Sequence, residues 1–499
     1  MERRMASIYR FNMLVILLAM ASASMIVVSA KDDFVQCEST VKNWATSSFN
    51  YRVKGDKLTL RDLLFFLHVP RTGGRTYYHC FLKKLYTKDQ ECPSSYDKLR
   101  FDPSKPNCRL MATHDDYSMM SKLPKERTSV VTILRNPVDR VFSTYEFSVE
   151  VAARFLFIPN LTAATRMEAQ PPSKSHGTNT LDIWPWKYLV PWMRADLFVR
   201  RDAREIANIL EIKETGDPYN MEHMVMPLHK FINEPLAHDI VHNGATFQVA
   251  GLTNNSRLAE SHEVRHCVRK HPSLGQYVLD VAKNRLDDML YVGLTEDHKE
   301  SATMFVNMVG VQVLSLLEAL SSRIGQAANN RTELNSSSGP DSSSQLQSSI
   351  ADENTSGIPM GNVETRNENM TVVKLMEAYE VCSSGFRKTL STRRNISFKR
   401  ISIVNFSDEA RLQVPETVLQ QILLLNSLDV ELYKHAQDIF AQQQKHLAEK
   451  LVKVEIQEMW RDSFGDSPWK VLPLTIAAFL FLALIFFILS SRRTSKLKV

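Results

Sequence analysis

The sequence predicts an α/β fold, a central parallel sheet flanked by helices, on three observations. Leu63 to Val69 and Ser129 to Leu134 are short runs apolar at almost every position, as expected of strands buried on both faces. Each run stops at a turn containing Arg with Gly or Pro, and each turn opens a helical pattern. Strand, turn and helix repeated along one stretch is the pattern of a parallel sheet.

Taken in order, the chain begins with Arg3, Arg4 and Arg10 ahead of an apolar run from Phe11 to Val28. Val28-Ser29-Ala30 and Ala21-Ser22-Ala23 offer small-residue cleavage sites, so residues 1–30 are expected to be a signal peptide, with an uncleaved anchor as the alternative. Residues 31–57 follow as an N-terminal lumenal segment. Residues 58–320 have the length and apolar content of one large domain with its own core. Residues 321–370 turn to Ser, Asn, Gln and Gly with few large apolar side chains, the composition of a flexible, glycosylated insertion. A helical part, 371–460, ends in a pattern that puts Leu432, Ala436, Ile439 and Phe440 on one face of a long helix.

Val471 to Leu489 is uncharged and mostly apolar, and residues 471–490 are expected to form one transmembrane helix, with Trp469 and Lys470 at one interface and Arg492-Arg493 at the other. The basic tail, 491–499, stays cytosolic by the positive-inside rule. A signal peptide first and an anchor last make a single-pass type I membrane protein whose working part faces the secretory lumen.

The formal charge of +6 supports that topology and lends nothing to a nucleic-acid-binding reading, so no nucleic-acid partner is expected. Of 61 Lys and Arg and 55 Asp and Glu, seven basic residues and one acid lie in residues 1–30 and 492–499, leaving 54 of each between. A nucleic-acid protein carries its excess through the folded part. Within the lumenal part, however, residues 61–145 hold 15 basic against 9 acidic residues, a local excess suited to an anionic ligand.

All six cysteines, Cys37, Cys80, Cys92, Cys108, Cys267 and Cys382, fall in the lumenal part, and none shows metal-ligand CxxC spacing, so no metal is expected. Up to three disulfides fit, with fifteen connectivities open for six cysteines. Sequons at Asn160, Asn254, Asn330, Asn335, Asn354, Asn369, Asn395 and Asn405 would be accessible to glycosylation in that compartment.

After the first strand come Pro70 and Arg71-Thr72-Gly73-Gly74-Arg75-Thr76, then a helical Tyr77 to Tyr86 with Tyr78, Leu82 and Leu85 on one face. Glycines let backbone N–H groups approach a phosphate, and a helix N-terminus adds partial positive charge. An ordinary tight turn is the competing explanation. The second strand ends in Arg135-Asn136-Pro137-Val138-Asp139-Arg140, and Ser143 follows two helical turns later. An Arg at the carboxyl end of a strand suits a second phosphate at a topological switch point, whereas a structural salt bridge is the plainer alternative. Two such cradles in one sheet point to a ligand with two separated phosphates.

Phe66 to Gly74 resembles the 5′-phosphosulfate loop of Golgi sulfotransferases, and Ile133 to Ser143 resembles their 3′-phosphate site. The similarity is closest to the heparan sulfate 6-O-sulfotransferase family and continues in Ala282 to Arg285, Val292 to Glu296 and Leu428 to Tyr433. It implies a P-loop-like sulfotransferase fold and 3′-phosphoadenosine 5′-phosphosulfate as co-substrate, held by Arg71, Thr72, Gly73, Gly74, Arg75, Thr76, Arg135 and Ser143. The family keeps a His between the two motifs, and His114 occupies that place. It is the candidate general base, with Asp115 or Asp116 to orient it or act instead. The family's loop has Lys where this chain has Arg71, so charge stabilisation survives while proton donation is in doubt.

An N-terminal signal, a C-terminal anchor and a Ser/Asn-rich insertion resemble the tyrosylprotein sulfotransferases of plants rather than the N-terminally anchored animal heparan sulfate enzymes. The resemblance implies a Golgi enzyme acting on tyrosines beside acidic residues in secreted peptides and proteins. A polysaccharide 6-O-sulfotransferase and a catalytically inactive membrane-tethered binding protein are the alternatives.

Overall fold

The computed structural model describes residues 32–49, 56–92, 108–156, 180–206, 217–316, 318–319, 370–398 and 406–464. The segments expected to be a signal peptide, a flexible insertion up to residue 369, a transmembrane helix at 471–490 and a tail at 491–499 lie outside them, as do Asn160, Asn330, Asn335, Asn354, Asn369 and Asn405. Among the described residues no helix is long and apolar enough to cross a membrane.

Four strands form one parallel sheet, β1 (Leu63–Leu67), β2 (Leu110–Thr113), β3 (Thr128–Leu134) and β4 (Tyr291–Leu294), in the order β2-β1-β3-β4. Every strand residue is buried, which is why the sequence shows continuous apolar runs instead of alternation. Helix α1 spans residues 32–49. After β1 comes α2 (Gly74–Tyr77), extended by a π turn (Tyr78–Leu82) and a final turn (Lys83–Leu85). The helix therefore starts three residues earlier than its periodicity suggests, because the left-handed Gly73 at φ 82° turns the chain directly into it.

β3 feeds α3 (Pro137–Arg154), capped by Asn136, whose side chain accepts from the N–H groups of Val138 and Asp139, with Pro137 in the first turn. Val141, Phe142, Tyr145, Val149 and Ala152 of α3 pack with α4 (Trp186–Ile206) in one extensive apolar cluster, where each large side chain contributes about 1.5–3 kcal/mol. The helices that follow α4 in this part include α5 (Gly244–Val249), α6 (Ala259–Lys270), α7 (Gly275–Asp287) and α8 (His298–Phe305).

The C-terminal part supplies α9 (Val372–Phe398), α10 (Asp408–Leu412), α11 (Glu416–Leu425) and α12 (Ser427–Phe464). The helical pattern expected from Pro415 onward is thus two helices, broken at Asn426, whose side-chain amide donates to the carbonyls of Val241 and Ile422. Leu432, Ala436, Ile439 and Phe440 are all buried. Asp429 of α12 accepts from both backbone N–H groups of Ala245 and Thr246 at the start of α5 and pairs with buried Arg140 at 2.7 Å. Residues up to Phe440 form one compact unit and those from Ala441 a second, whose described part is helical with exposed Leu451, Val452, Val454, Ile456 and Met459.

All six cysteines are paired, Cys37 with Cys267, Cys80 with Cys382 and Cys92 with Cys108. The first joins α1 to α6, and the second joins the π turn after the Gly-Gly loop to α9.

Candidate active site

The strand order reverses between β1 and β3, so their connections leave in opposite directions and open a crevice at the carboxyl ends of the strands. The turn from Arg71 to Gly73 and the segment Arg135-Asn136 border that crevice. Arg71 has φ 69°, a left-handed conformation that a side chain other than Gly rarely adopts, and it aims the guanidinium across the crevice at α3. There Nε and Nη2 donate to Ser143 Oγ at 3.0 and 2.8 Å, and the guanidinium lies 4.5 Å from the centre of the Phe147 ring. Arg135 Nη1 donates to the Arg71 carbonyl at 3.3 Å. The two stretches singled out as cradles are therefore one assembly, with Ser143 on the Arg71 side of it.

Other loop residues divide between holding the turn and facing the crevice. Thr72 is buried, and its hydroxyl donates to the Val69 carbonyl at 2.8 Å. Its own carbonyl accepts from Thr295 Oγ1 at 2.7 Å, which ties the turn to the end of β4. A methyl group on Gly73 would meet nothing closer than 3.9 Å, so φ alone requires glycine there. Gly74 has the opposite reason: a Cβ would stand 2.6 Å from His68 Nε2 and 2.9 Å from Phe66 Cζ. Thr76 donates its N–H to the Gly73 carbonyl at 2.9 Å, and the Arg75 guanidinium lies 5.1 Å from the centre of the Phe386 ring on α9.

Parallel pairing places His114 in the same crevice. Leu67 is in register with Thr113, so the residues that follow them, His68 and His114, stand side by side with ring centres 4.1 Å apart. Asp115 accepts from Thr113 Oγ1 at 3.0 Å and from Asn255, while Asp116 accepts from Thr253 N at 2.9 Å and from Ser118 N at 3.0 Å. Both carboxylates are thereby committed to holding the loop after β2 against residues 253–255.

Electrostatically the crevice is a crowd of desolvated cations. Burial, then Arg135, lowers Arg71 to about 9, still a cation at neutral pH, and no carboxylate of the described residues lies within ion-pair distance of it. Burial also lowers Arg135, whose nearest acid is Glu296 at 3.9 Å. His114 is pushed well below the usual imidazole range by burial first and then by His68, Arg71 and Arg75, so it is held neutral. Burial raises Asp115 to about 6. Concentrated positive charge with little compensation fits a ligand that brings several negative charges of its own.

Several participants carried no signal that assigned them a role. His68 lies near the end of the predicted strand and within the Phe66–Gly74 resemblance, with no role of its own assigned. Gln248 of α5 is buried and donates to the carbonyls of His68 at 3.2 Å, His114 at 2.9 Å and Asp115 at 3.3 Å. Glu296 accepts from Asn136 N at 3.0 Å and from Tyr433 OH at 2.7 Å, so the resemblance segments 292–296 and 428–433 meet beside Arg135. Glu146 of α3 accepts from Arg411 at 2.8 Å and from Arg394.

Of the sequons, Asn254 and Asn395 lie in the described residues, and both side chains are exposed. Ligand atoms of Asp33, Cys37 and His271 lie within 4.8 Å of one another, but the Cys37 sulfur is in a disulfide and Asp33 is bonded to Lys270 and His271, so these residues do not fit a metal.

No family model matches the chain. It is 52% identical over 513 aligned positions to the protein-tyrosine sulfotransferase of Arabidopsis thaliana, an alignment that covers 99% of this chain and 100% of the relative.

Proposed function

Since this chain belongs to the protein-tyrosine sulfotransferase family, we propose that it transfers a sulfuryl group from 3′-phosphoadenosine 5′-phosphosulfate to the phenolic oxygen of tyrosine in secreted peptides and proteins. The observation that carries the mechanism is the convergence of the Arg71–Thr76 turn, Arg135 and His114 on one crevice at the switch point of a parallel sheet. A P-loop-like sulfotransferase fold is the natural assignment for that arrangement.

Four of the chain's own groups carry the mechanism. Backbone N–H groups of the turn and the Arg71 cation bind the 5′ end of the donor, and Arg135 binds its second phosphate. The acceptor phenol, with a pKa of about 10, passes its proton to His114 as its oxygen bonds to sulfur. The sulfur–oxygen bond to the 5′-phosphate breaks in line, and Arg71 meets the negative charge that the departing oxygen acquires. The desulfated nucleotide leaves with both phosphates. Neutral His114 is the protonation state that accepts a proton, and the arrival of an anionic donor beside it raises its basicity.

Three disulfides fit an oxidising lumen, and the exposed Asn254 and Asn395 fit glycosylation there. We assign the chain to the Golgi membrane as a single-pass type I protein, with no metal, and with acceptors whose tyrosine lies beside acidic residues. The excess of basic residues over 61–145 supports that acceptor class.

The test is an acceptor comparison with labelled donor: an Asp-Tyr peptide, its Asp-Phe analogue and a desulfated glycan. Label on the Asp-Tyr peptide alone is expected. Label on the glycan without the tyrosine peptide would transfer the assignment to polysaccharide sulfation, and no label with no nucleotide binding would make the chain an inactive binding protein.

A further inference from the structure

The imidazole that packs against the His114 ring has no role in the mechanism above. His68 is buried, its ring lies 5.4 Å from Phe66 in a stacked arrangement and 4.1 Å from His114, and its Cδ2–Nε2 edge faces the Cα of Gly74. Its backbone is fixed on both sides, the N–H donating to the Thr113 carbonyl at 2.9 Å and the carbonyl accepting from Gln248. The same Gln248 amide holds the His114 carbonyl, so one side chain sets the two histidines relative to each other. Glycine at 74 makes the room that the imidazole takes up.

Packing alone does not explain an imidazole there. Nδ1 of His68 is buried with no hydrogen-bond partner among the described residues, a desolvation that an apolar side chain would avoid. The polar ring stands between the donor turn and the candidate base, where a neighbour influences both orientation and charge. We propose that His68 is a positioning residue for His114, locking its imidazole in place beside the Gly74 turn and holding it uncharged until the acceptor proton arrives. The proposal rests on the assignment of His114 as the base.

The two rings are too close to be protonated together without strong mutual repulsion. The charged groups around them act in the same direction. Arg71, Arg75 and His79 face His68, and Arg71 and Arg75 with His68 face His114. The Asp115 carboxyl is the nearest acid along the chain and is taken up by Thr113 and Asn255.

The experiment uses the full chain with His68→Phe, His68→Asn and His114→Ala, an Asp-Tyr peptide acceptor, and calorimetry with the desulfated nucleotide. His68→Phe removes the polar edge but adds bulk beside Gly74, so some fall in melting temperature is expected, while kcat falls about tenfold to a hundredfold because the base is misplaced. Loss of the neighbouring imidazole also raises the pKa of His114, so the acid limb of the kcat profile moves to higher pH. His68→Asn, which restores a polar edge, recovers part of kcat, and it carries the same readout if the Phe variant does not fold. Wild-type kcat and an unmoved acid limb in either variant, with His114→Ala inactive, would reduce His68 to a packing residue. Full turnover by His114→Ala would overturn the base assignment itself and this proposal with it.

Discussion

Ser143 Oγ accepts both hydrogen bonds that the Arg71 guanidinium directs at α3, from Nε at 3.0 Å and Nη2 at 2.8 Å. The strand-end turn and the helix after β3 are joined by that fork, and Phe147 covers its face. A single ammonium could make one of these bonds but would not lie flat over the ring. Arginine at this position therefore has a structural reason of its own, beyond preserving the charge of the lysine that the resembling family carries.

Arg71→Ala is expected to lower kcat by about 10²–10³-fold through loss of charge stabilisation at the departing oxygen. The melting temperature should barely move, because the side chain bridges two elements already held by the sheet. Arg71→Lys should fall between the two, retaining charge without the fork. Steady-state kinetics with a thermal melt on each variant check both statements.

The pH dependence follows from the direction in which His114 is displaced. In the free enzyme burial and neighbouring cations lower its pKa, so it stays neutral and active as pH falls below the usual histidine range. A bound polyanionic donor offsets those cations and raises the pKa. The acid limb of kcat/KM for the donor, which reports the free enzyme, is then expected at lower pH than the acid limb of kcat, which reports the complex. Coincident limbs would contradict the burial argument.

Arg140 and Asp429 are both almost wholly enclosed, and Asp429 also accepts two backbone N–H groups at the start of α5. Asp429→Ala leaves a buried guanidinium unpaired and uncaps α5, which should cost about 3–5 kcal/mol. Chemical denaturation of the variant, read against wild type, measures it directly.

Glycine substitutions at 73 and 74 should separate two effects. Gly73→Ala forces a side chain into φ 82° with open space around it, costing about 1 kcal/mol in stability. Gly74→Ala instead drives a methyl group against the His68 ring and should lower turnover much more than Gly73→Ala does. Comparing kcat for the pair distinguishes strain from displacement.

Local chemistry made some of this visible in the sequence and long-range geometry hid the rest. Buried strands announce themselves because both faces are covered, and the turn after β1 follows from its glycines. His114 is legible only through family resemblance, since nothing local distinguishes it from a structural histidine. His68 falls inside the Phe66–Gly74 stretch that resembles the donor loop, but its closeness to His114 depends on the register Leu67 to Thr113, which one sequence does not specify. Gln248 acts from a helix about 180 residues after His68. Phe386, Arg394 and Arg411 approach the donor turn and α3 from beyond residue 370, and periodicity says which face of a helix is apolar but not where that face lands.

The bond between Cys80 and Cys382 spans 302 residues of sequence. During synthesis the helix after the Gly-Gly turn and α9, which is fastened to it, are therefore separated by most of the chain, and the N-terminal portion is complete long before α9 emerges. The same bond keeps the two ends joined across one break in between. A cut anywhere from residue 320 to 369 divides the polypeptide into two fragments that remain covalently one molecule, with α9 still fastened beside the Gly-Gly turn.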